Sequence, residues 1–287
     1  MRSQQIYSPK VLPRLPALLG LYGKALMKSE NSDENDLPSL SVSVPEVRAN
    51  VRRAHSYDRL CHFPDSQYLA PTYLHVLAFP LHIYLATEPA MPLNPVGLVH
   101  TRNQLRLLRP VAPNEVLHIT CFVGEWRTVA AGLEFDIVTH IDTGSERIYE
   151  GVSAYLRRDP SPTRKRTNLH RRTPHELTEI WQLSPNLGRE YGALSGDRNP
   201  IHLWPVTAQM FGFKRPIIHG MWSMARCLAA LMPKVNNQPF VMDVSFKMPI
   251  FLPSSVKFSY DESCEQLDFL LTSANGRAHL IGDLKQI

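Results

Sequence analysis

The run YGALSGDRNPIHLWP, Tyr191–Pro205, sets an acid (Asp197), an amide (Asn199), a proline (Pro200) and a histidine (His202) within six residues. A carboxylate and an imidazole together can hold one water molecule and pass a proton near neutral pH, where histidine titrates. Fully extended, five residues span about 17 Å, too far for two side chains to share a water. Proline fixes φ and turns the residue before it away from helix, and Asn199 can bond nearby backbone. A turn at Asn199-Pro200 would therefore aim Asp197 and His202 into one small space.

A second piece is RPIIHGMW, Arg215–Trp222. Gly220 falls near the expected start of an apolar helix, where backbone N–H groups lack partners and the helix dipole is positive. Without a side chain at that point a ligand oxygen can come close. A carbonyl gaining negative charge in a transition state would be stabilised there, and loss of one such donor typically costs about 3 kcal/mol. Together these make an acid–base pair around water, an oxyanion site and a buried apolar helix that could line an acyl tunnel. If the carbonyl is a thioester it is activating enough that neither a metal nor another cofactor is called for.

Each residue also has a plainer reading. Asp197 alone is a helix-end cap and His202 alone a core histidine; it is their combination that points to chemistry. His219 reads as a partner for backbone near the helix start, Ser195 as part of a helix C-cap or of a pocket, and Tyr191 as packing. Asp197, His202 and His219 taken as metal ligands lack a fourth ligand, so no metal is expected. There is no GxSxG and no cysteine near the motif, which leaves a serine or cysteine nucleophile unsupported.

These residues need elements to hold them. Ser184-Pro185 looks like a helix start, with the helix running through Leu187 and Tyr191 to Leu194 and Gly196 ending it in the left-handed conformation. Two long segments, 70–86 and 216–233, are apolar almost all round, which predicts buried helices. RPVAPNEVLHI (Arg109–Ile119) and MPIFLPSSVKF (Met248–Phe258) share a pattern, with Pro110 and Pro249 139 positions apart, close to half the chain. Strand-like stretches follow each copy, and Asn275-Gly276 marks a hairpin turn. Each half thus reads as one buried helix wrapped by an antiparallel sheet, and two such units side by side complete a continuous sheet. The expected class is α+β, a tandem hot-dog fold: an N-terminal extension (1–38) packing on the body, a first hot-dog half (39–158), a basic linker (159–178) and a second half (179–287).

The chain has 287 residues, 44% hydrophobic and 20% charged, enough for a large core. Its net charge of +5 is localised: RRDPSPTRKRTNLHRR (Arg157–Arg172) carries seven basic residues against the single Asp159, so the rest is close to neutral. No aromatic residue interleaves these charges, which argues against nucleic acid and leaves a solvated linker or a phosphate-bearing partner. No apolar run is long enough to span a bilayer, and Cys61, Cys121, Cys227 and Cys264 form no CxxC pair. A reducing, cytoplasmic setting is expected.

YGALSGDRNPIH followed by AQMFGFKRPIIHGMW resembles the hydratase 2 motif of MaoC-like, (R)-specific enoyl-CoA hydratases and related hot-dog dehydratases. The resemblance implies Asp197 and His202 as the catalytic dyad. It implies Asn199 as support for the loop, and a Gly220 amide that polarises a thioester carbonyl, with Ser195 and His219 on the substrate side. The first half resembles the copy without the motif in two-domain members, since HFPDSQYLAPTYLH holds no GDxNPxH; it would supply tunnel wall, with His75 in the core or lining the pocket. The family usually has an acid two positions after the histidine, where this chain has Trp204, which bears on the pocket rim. The implied reaction is reversible syn addition of water to a trans-2-enoyl thioester, giving the (R)-3-hydroxyacyl thioester. Its partner would be CoA or acyl carrier protein, without nucleic acid or an integral membrane segment, and a homodimer of the chain is compatible with it. The alternatives are a non-catalytic acyl-thioester-binding subunit and a hot-dog thioesterase.

Overall fold

A computed structural model describes residues 8–29, 38–158, 177–262 and 266–287. In chain order the elements are β1 (Lys10–Val11), α1 (Leu18–Met27), β2 (Ser41–Arg48), α2 (Val51–Cys61), α3 (Pro71–Thr87), β3 (Val99–Leu107), β4 (Val116–Val129), β5 (Gly132–Thr143) and β6 (Glu146–Arg158). The second half gives β7 (Leu177–Leu183), α4 (Leu187–Ser195), a 3₁₀ turn (Pro200–His202), α5 (Pro205–Met210), α6 (Gly220–Val235), β8 (Phe240–Phe246), β9 (Ser254–Glu262), β10 (Leu267–Thr272) and β11 (Ala278–Gln286).

All strands join one sheet in the order β1-β2-β4-β5-β6-β3-β8-β11-β10-β9-β7. Leaving β1 aside, the order reads the same from either end: β2, β4, β5, β6, β3 match β7, β9, β10, β11, β8. The fold is a double hot dog, with α3 and α6 as the paired central helices. The halves meet where β3 runs antiparallel to β8, with Gln104 opposite Asp243 and their side chains hydrogen-bonded at 3.0 Å. Both central helices are buried along most of their length, because apolar residues on every side leave no face for water. The two proline-rich copies lead into β4 and β9, and the Asn275-Gly276 turn joins β10 to β11 with Gly276 at φ +77°.

Two boundaries differ from the sequence reading. α4 starts at Leu187 with Asn186 as its N-cap, not at Ser184-Pro185; the Ser184 carbonyl instead accepts the Leu187 N–H in a preceding turn. α6 starts at Gly220, because Pro216–Ile218 are extended and bond Leu252 and Ile250 across the sheet end. Within the N-terminal extension, α1 lies against α3. Lys28, just past α1, donates to the Ala86 and Glu88 carbonyls at the C-terminal end of α3, where the helix dipole favours a cation. Most of the basic segment lies outside the described residues. Cys61, Cys121 and Cys227 are free, buried thiols, and Cys264 lies outside the described residues. Among the described residues no helix is long and apolar enough to cross a membrane.

Candidate active site

Three glycines, Gly188, Gly192 and Gly196, stand four apart along α4 and its end. A Cβ at Gly188 would collide with the His202 carbonyl oxygen, and one at Gly192 would lie 2.8 Å from the Asp197 carbonyl oxygen. The bare helix face lets the loop that carries both residues lie directly on it. Gly196, at φ +80°, ends α4 and sends the chain into that loop.

Asp197 is held from four sides. Its amide donates to Ser195 Oγ (3.1 Å), and its Oδ1 accepts the Asn199 amide (3.2 Å) and faces the Tyr22 hydroxyl (3.4 Å). Its carbonyl oxygen accepts His219 Nε2–H at 2.9 Å. Asn199 caps the 3₁₀ turn by accepting the Ile201 amide, which gives the stiff middle that the spacing requires.

His202 is buried, and its Nδ1 lies 2.7 Å from the Ile217 carbonyl oxygen. A carbonyl only accepts, so the proton sits on Nδ1 and Nε2 keeps its lone pair. Burial lowers the His202 pKa, with Asp197 and the Ile217 carbonyl opposing it, so the ring is a neutral base at pH 7. The same reasoning fixes His219 with its proton on Nε2; its Nδ1 is buried without a partner. The two rings stack with centroids 3.6 Å apart, and burial followed by the neighbouring His202 holds His219 well below the ordinary histidine range.

Asp197, His202 and His219 each bring one donor atom within 4.8 Å of the others. That space suits a water between carboxylate and imidazole. As a metal set it is compromised, because the His219 nitrogen nearest Asp197 is already bonded to backbone. Gly220 begins α6, and its N-cap, His219, makes no side-chain cap bond. A Cβ at Gly220 would press on the Phe246 ring at 3.0 Å, so only glycine leaves the first turn open.

These groups share a cavity of about 890 Å³ whose walls come from both halves and from α1. Asp197, Asn199, Ser195, His202, His219 and Gly220 all line it, as does Tyr191, which packs on His219 at 4.9 Å. His75 lines it too. Trp204 does not: it is half exposed and stacks on the Arg189 guanidinium at 4.0 Å, away from the walls. The missing acid after His202 therefore leaves the cavity rim untouched.

Sequence reasoning missed Tyr22 and Leu18 on α1 and His82, His100 and Tyr155 in the first half. Tyr22 is 175 positions from Asp197, beyond any local pattern. The four-residue glycine spacing on α4 was a readable signal of close backbone approach.

The description "MaoC like domain" matches residues 164–267, which span the loop, the 3₁₀ turn and α6. The chain carries a MaoC-like dehydratase domain. The chain is similar to 3-hydroxyacyl-thioester dehydratase X of Mycobacterium tuberculosis, 26% identical over 88% of this chain and 91% of that protein. The crystal structure of that organism's HtdX superposes with a TM-score of 0.76 at 26% identity, covering 86% of this chain and all of that one. A shorter stretch of 69 residues is 36% identical to the (R)-specific enoyl-CoA hydratase of Aeromonas caviae, covering 23% of this chain and 52% of that protein.

Proposed function

We propose that this MaoC-like enzyme adds water reversibly to trans-2-enoyl thioesters, giving (R)-3-hydroxyacyl thioesters in fatty-acid metabolism. The observation that carries this reading is the unprotonated His202 Nε2 sharing a space with the Asp197 carboxylate beside the open first turn of α6.

In this reading a water sits between Asp197 and His202. Nε2 takes one proton as the water oxygen bonds to C3, and the π electrons move toward C2 and the thioester oxygen. N–H groups at the start of α6, Gly220 foremost, hold that developing charge. The proton then returns to C2 from the same side, so one water is consumed and H and OH add syn. Ser195, Asn199 and His219 act on Asp197 and its loop, and His219 contributes orientation instead of proton transfer. Attack is at C3 and not at the carbonyl, which separates this chemistry from a thioesterase.

The carrier is CoA or acyl carrier protein, and the basic run Arg157–Arg172 suits the phosphates of the first and an acidic face of the second. The deciding experiment follows loss of the conjugated-enoyl absorbance with crotonyl-CoA and a longer enoyl-CoA, with the product's chirality read out. Asp197→Asn and His202→Ala should each lose at least about a thousandfold in kcat, and the double variant little more, because the two act on one water. Equal rates in all proteins would remove the mechanism, and release of free CoA would favour the thioesterase.

A further inference from the structure

The cavity wall supplied by the first half is mostly apolar, with Val76, Phe79, Ile83, Val99 and Phe135 in it, but it carries one polar patch. His75 and His82 on α3, His100 on β3 and Tyr155 on β6 line it together. His82 is anchored, with Nε2 2.7 Å from Thr139 Oγ1 and Nδ1 3.1 Å from the Tyr155 hydroxyl. His100 stacks on Tyr155 at 4.8 Å, and His75 meets His82 edge-on at 5.1 Å. His75 is 4% exposed, and neither of its ring nitrogens has a hydrogen-bond partner among the described residues.

Behind this layer the polarity continues. Asn103 is fully buried, and its Nδ2 donates to Ser153 Oγ at 2.8 Å and lies 3.5 Å from His100 Nε2. Its Oδ1 has no partner. Burial pushes His75 down to about 4 and His100 down to about 3, so the imidazoles are uncharged at neutral pH. His82 and His100 are held by their neighbours, and His75 offers one N–H and one lone pair to the cavity. An alkyl chain lying against His75 would leave it unpaired, which is the expensive outcome for a buried polar group. Neutral donor–acceptor pairs match a hydroxyl or keto oxygen. Phe246 relates this wall to the reacting end: its ring faces Gly220 on one side and meets His100 at 5.1 Å on the other.

We propose that His75, backed by His100 and Tyr155, is a subsite for a hydrogen-bonding oxygen on the acyl chain beyond the C2=C3 bond. The enzyme would thus be selective for oxygenated 2-enoyl thioesters over plain alkyl ones. This rests on the hydratase reading above.

The test uses the full chain and enoyl-CoAs of equal, medium length: one plain, and a panel carrying a single hydroxyl at successive carbons past C4. The readout is the ratio of kcat/KM, best hydroxylated substrate over plain, which within one protein does not depend on how much of it is folded. Wild type should favour a hydroxylated member by about tenfold or more, the worth of one buried hydrogen bond. His75→Leu should bring the ratio to about one or below, and His75→Asn, which keeps a donor and an acceptor, should restore part of it. A wild-type ratio at or below about one for every position overturns the subsite while leaving the hydratase reading intact. So does a ratio that His75→Leu fails to move. Hydration of no substrate by wild type overturns both.

Discussion

Removing one oxygen atom from the N-terminal helix should slow a reaction carried out 175 residues away. In Tyr22→Phe the ring stays in the cavity wall and only the hydroxyl goes. That hydroxyl accepts the Arg198 amide at 3.0 Å and has one proton to share between the Gly196 carbonyl (3.1 Å) and Asp197 Oδ1 (3.4 Å). Arg198 is exposed, so water can replace the oxygen as acceptor, and the melting temperature should move little. The bond to the carboxylate is at the long end of the range, so its contribution is nearer about 1 kcal/mol than the 1.5–3 kcal/mol usual for a charged acceptor. If Tyr22 steadies Asp197, that about 1 kcal/mol appears in the barrier, a fall of roughly fivefold in kcat with KM nearly unchanged. The assay is initial-rate hydration of crotonyl-CoA across substrate concentrations, with a thermal melt alongside. An unchanged kcat would refute the reasoning. A rise in KM at constant kcat would also refute it, since Tyr22 would then be touching substrate and not the carboxylate.

Gly188→Ala should cut kcat by at least about a hundredfold and cost about 1–3 kcal/mol by urea unfolding, because its Cβ meets the His202 backbone oxygen and no rotamer relieves that. Gly20→Ala, with open space around it on α1, should instead be neutral or raise the melting temperature slightly. Burial depresses the His75 pKa from 6.5 to about 4, so folding favours its neutral form. Its stabilisation is complete above pH 6.5 and lost as pH falls toward 4, about 3 kcal/mol in all, and urea midpoints at pH 7 and pH 5 should show the decline. The rate should likewise be flat from pH 6.5 upward through neutrality and fall only in more acid solution, as the lowered His202 pKa requires. Extended dialysis against EDTA should leave the rate unchanged; a loss reversed by zinc would make Asp197, His202 and His219 ligands.

What the sequence disclosed tracks the range over which each feature is specified. The turn at Asn199-Pro200 depends on neighbours within a few residues and stands where it was expected, while the apolar segment from 216 becomes helix only at Gly220. The doubled architecture showed because its two copies repeat a pattern of prolines and alternating strands. The start of α4 was misplaced because Ser184-Pro185 has the chemistry of a cap, yet the chain there is still leaving β7 and turns once more before the helix. Tyr22 carried no signal, since a tyrosine on a short helix is ordinary until its hydroxyl meets a carboxylate from the other half. His75 was read as core or pocket lining and His82 was hidden: an apolar helix tolerates a histidine as core, and only the cavity beside α3 shows which way the polar patch faces.

The seam between β3 and β8 has a consequence for how such a molecule can change. Two identical subunits would have to alter both central helices whenever either was altered, so any imidazole gained on one would appear beside the other loop as well. Fusing the copies into one polypeptide releases that constraint. One half can conserve its proton chemistry while the other drifts, and the shape and polarity of what is admitted can be retuned without disturbing the groups that react.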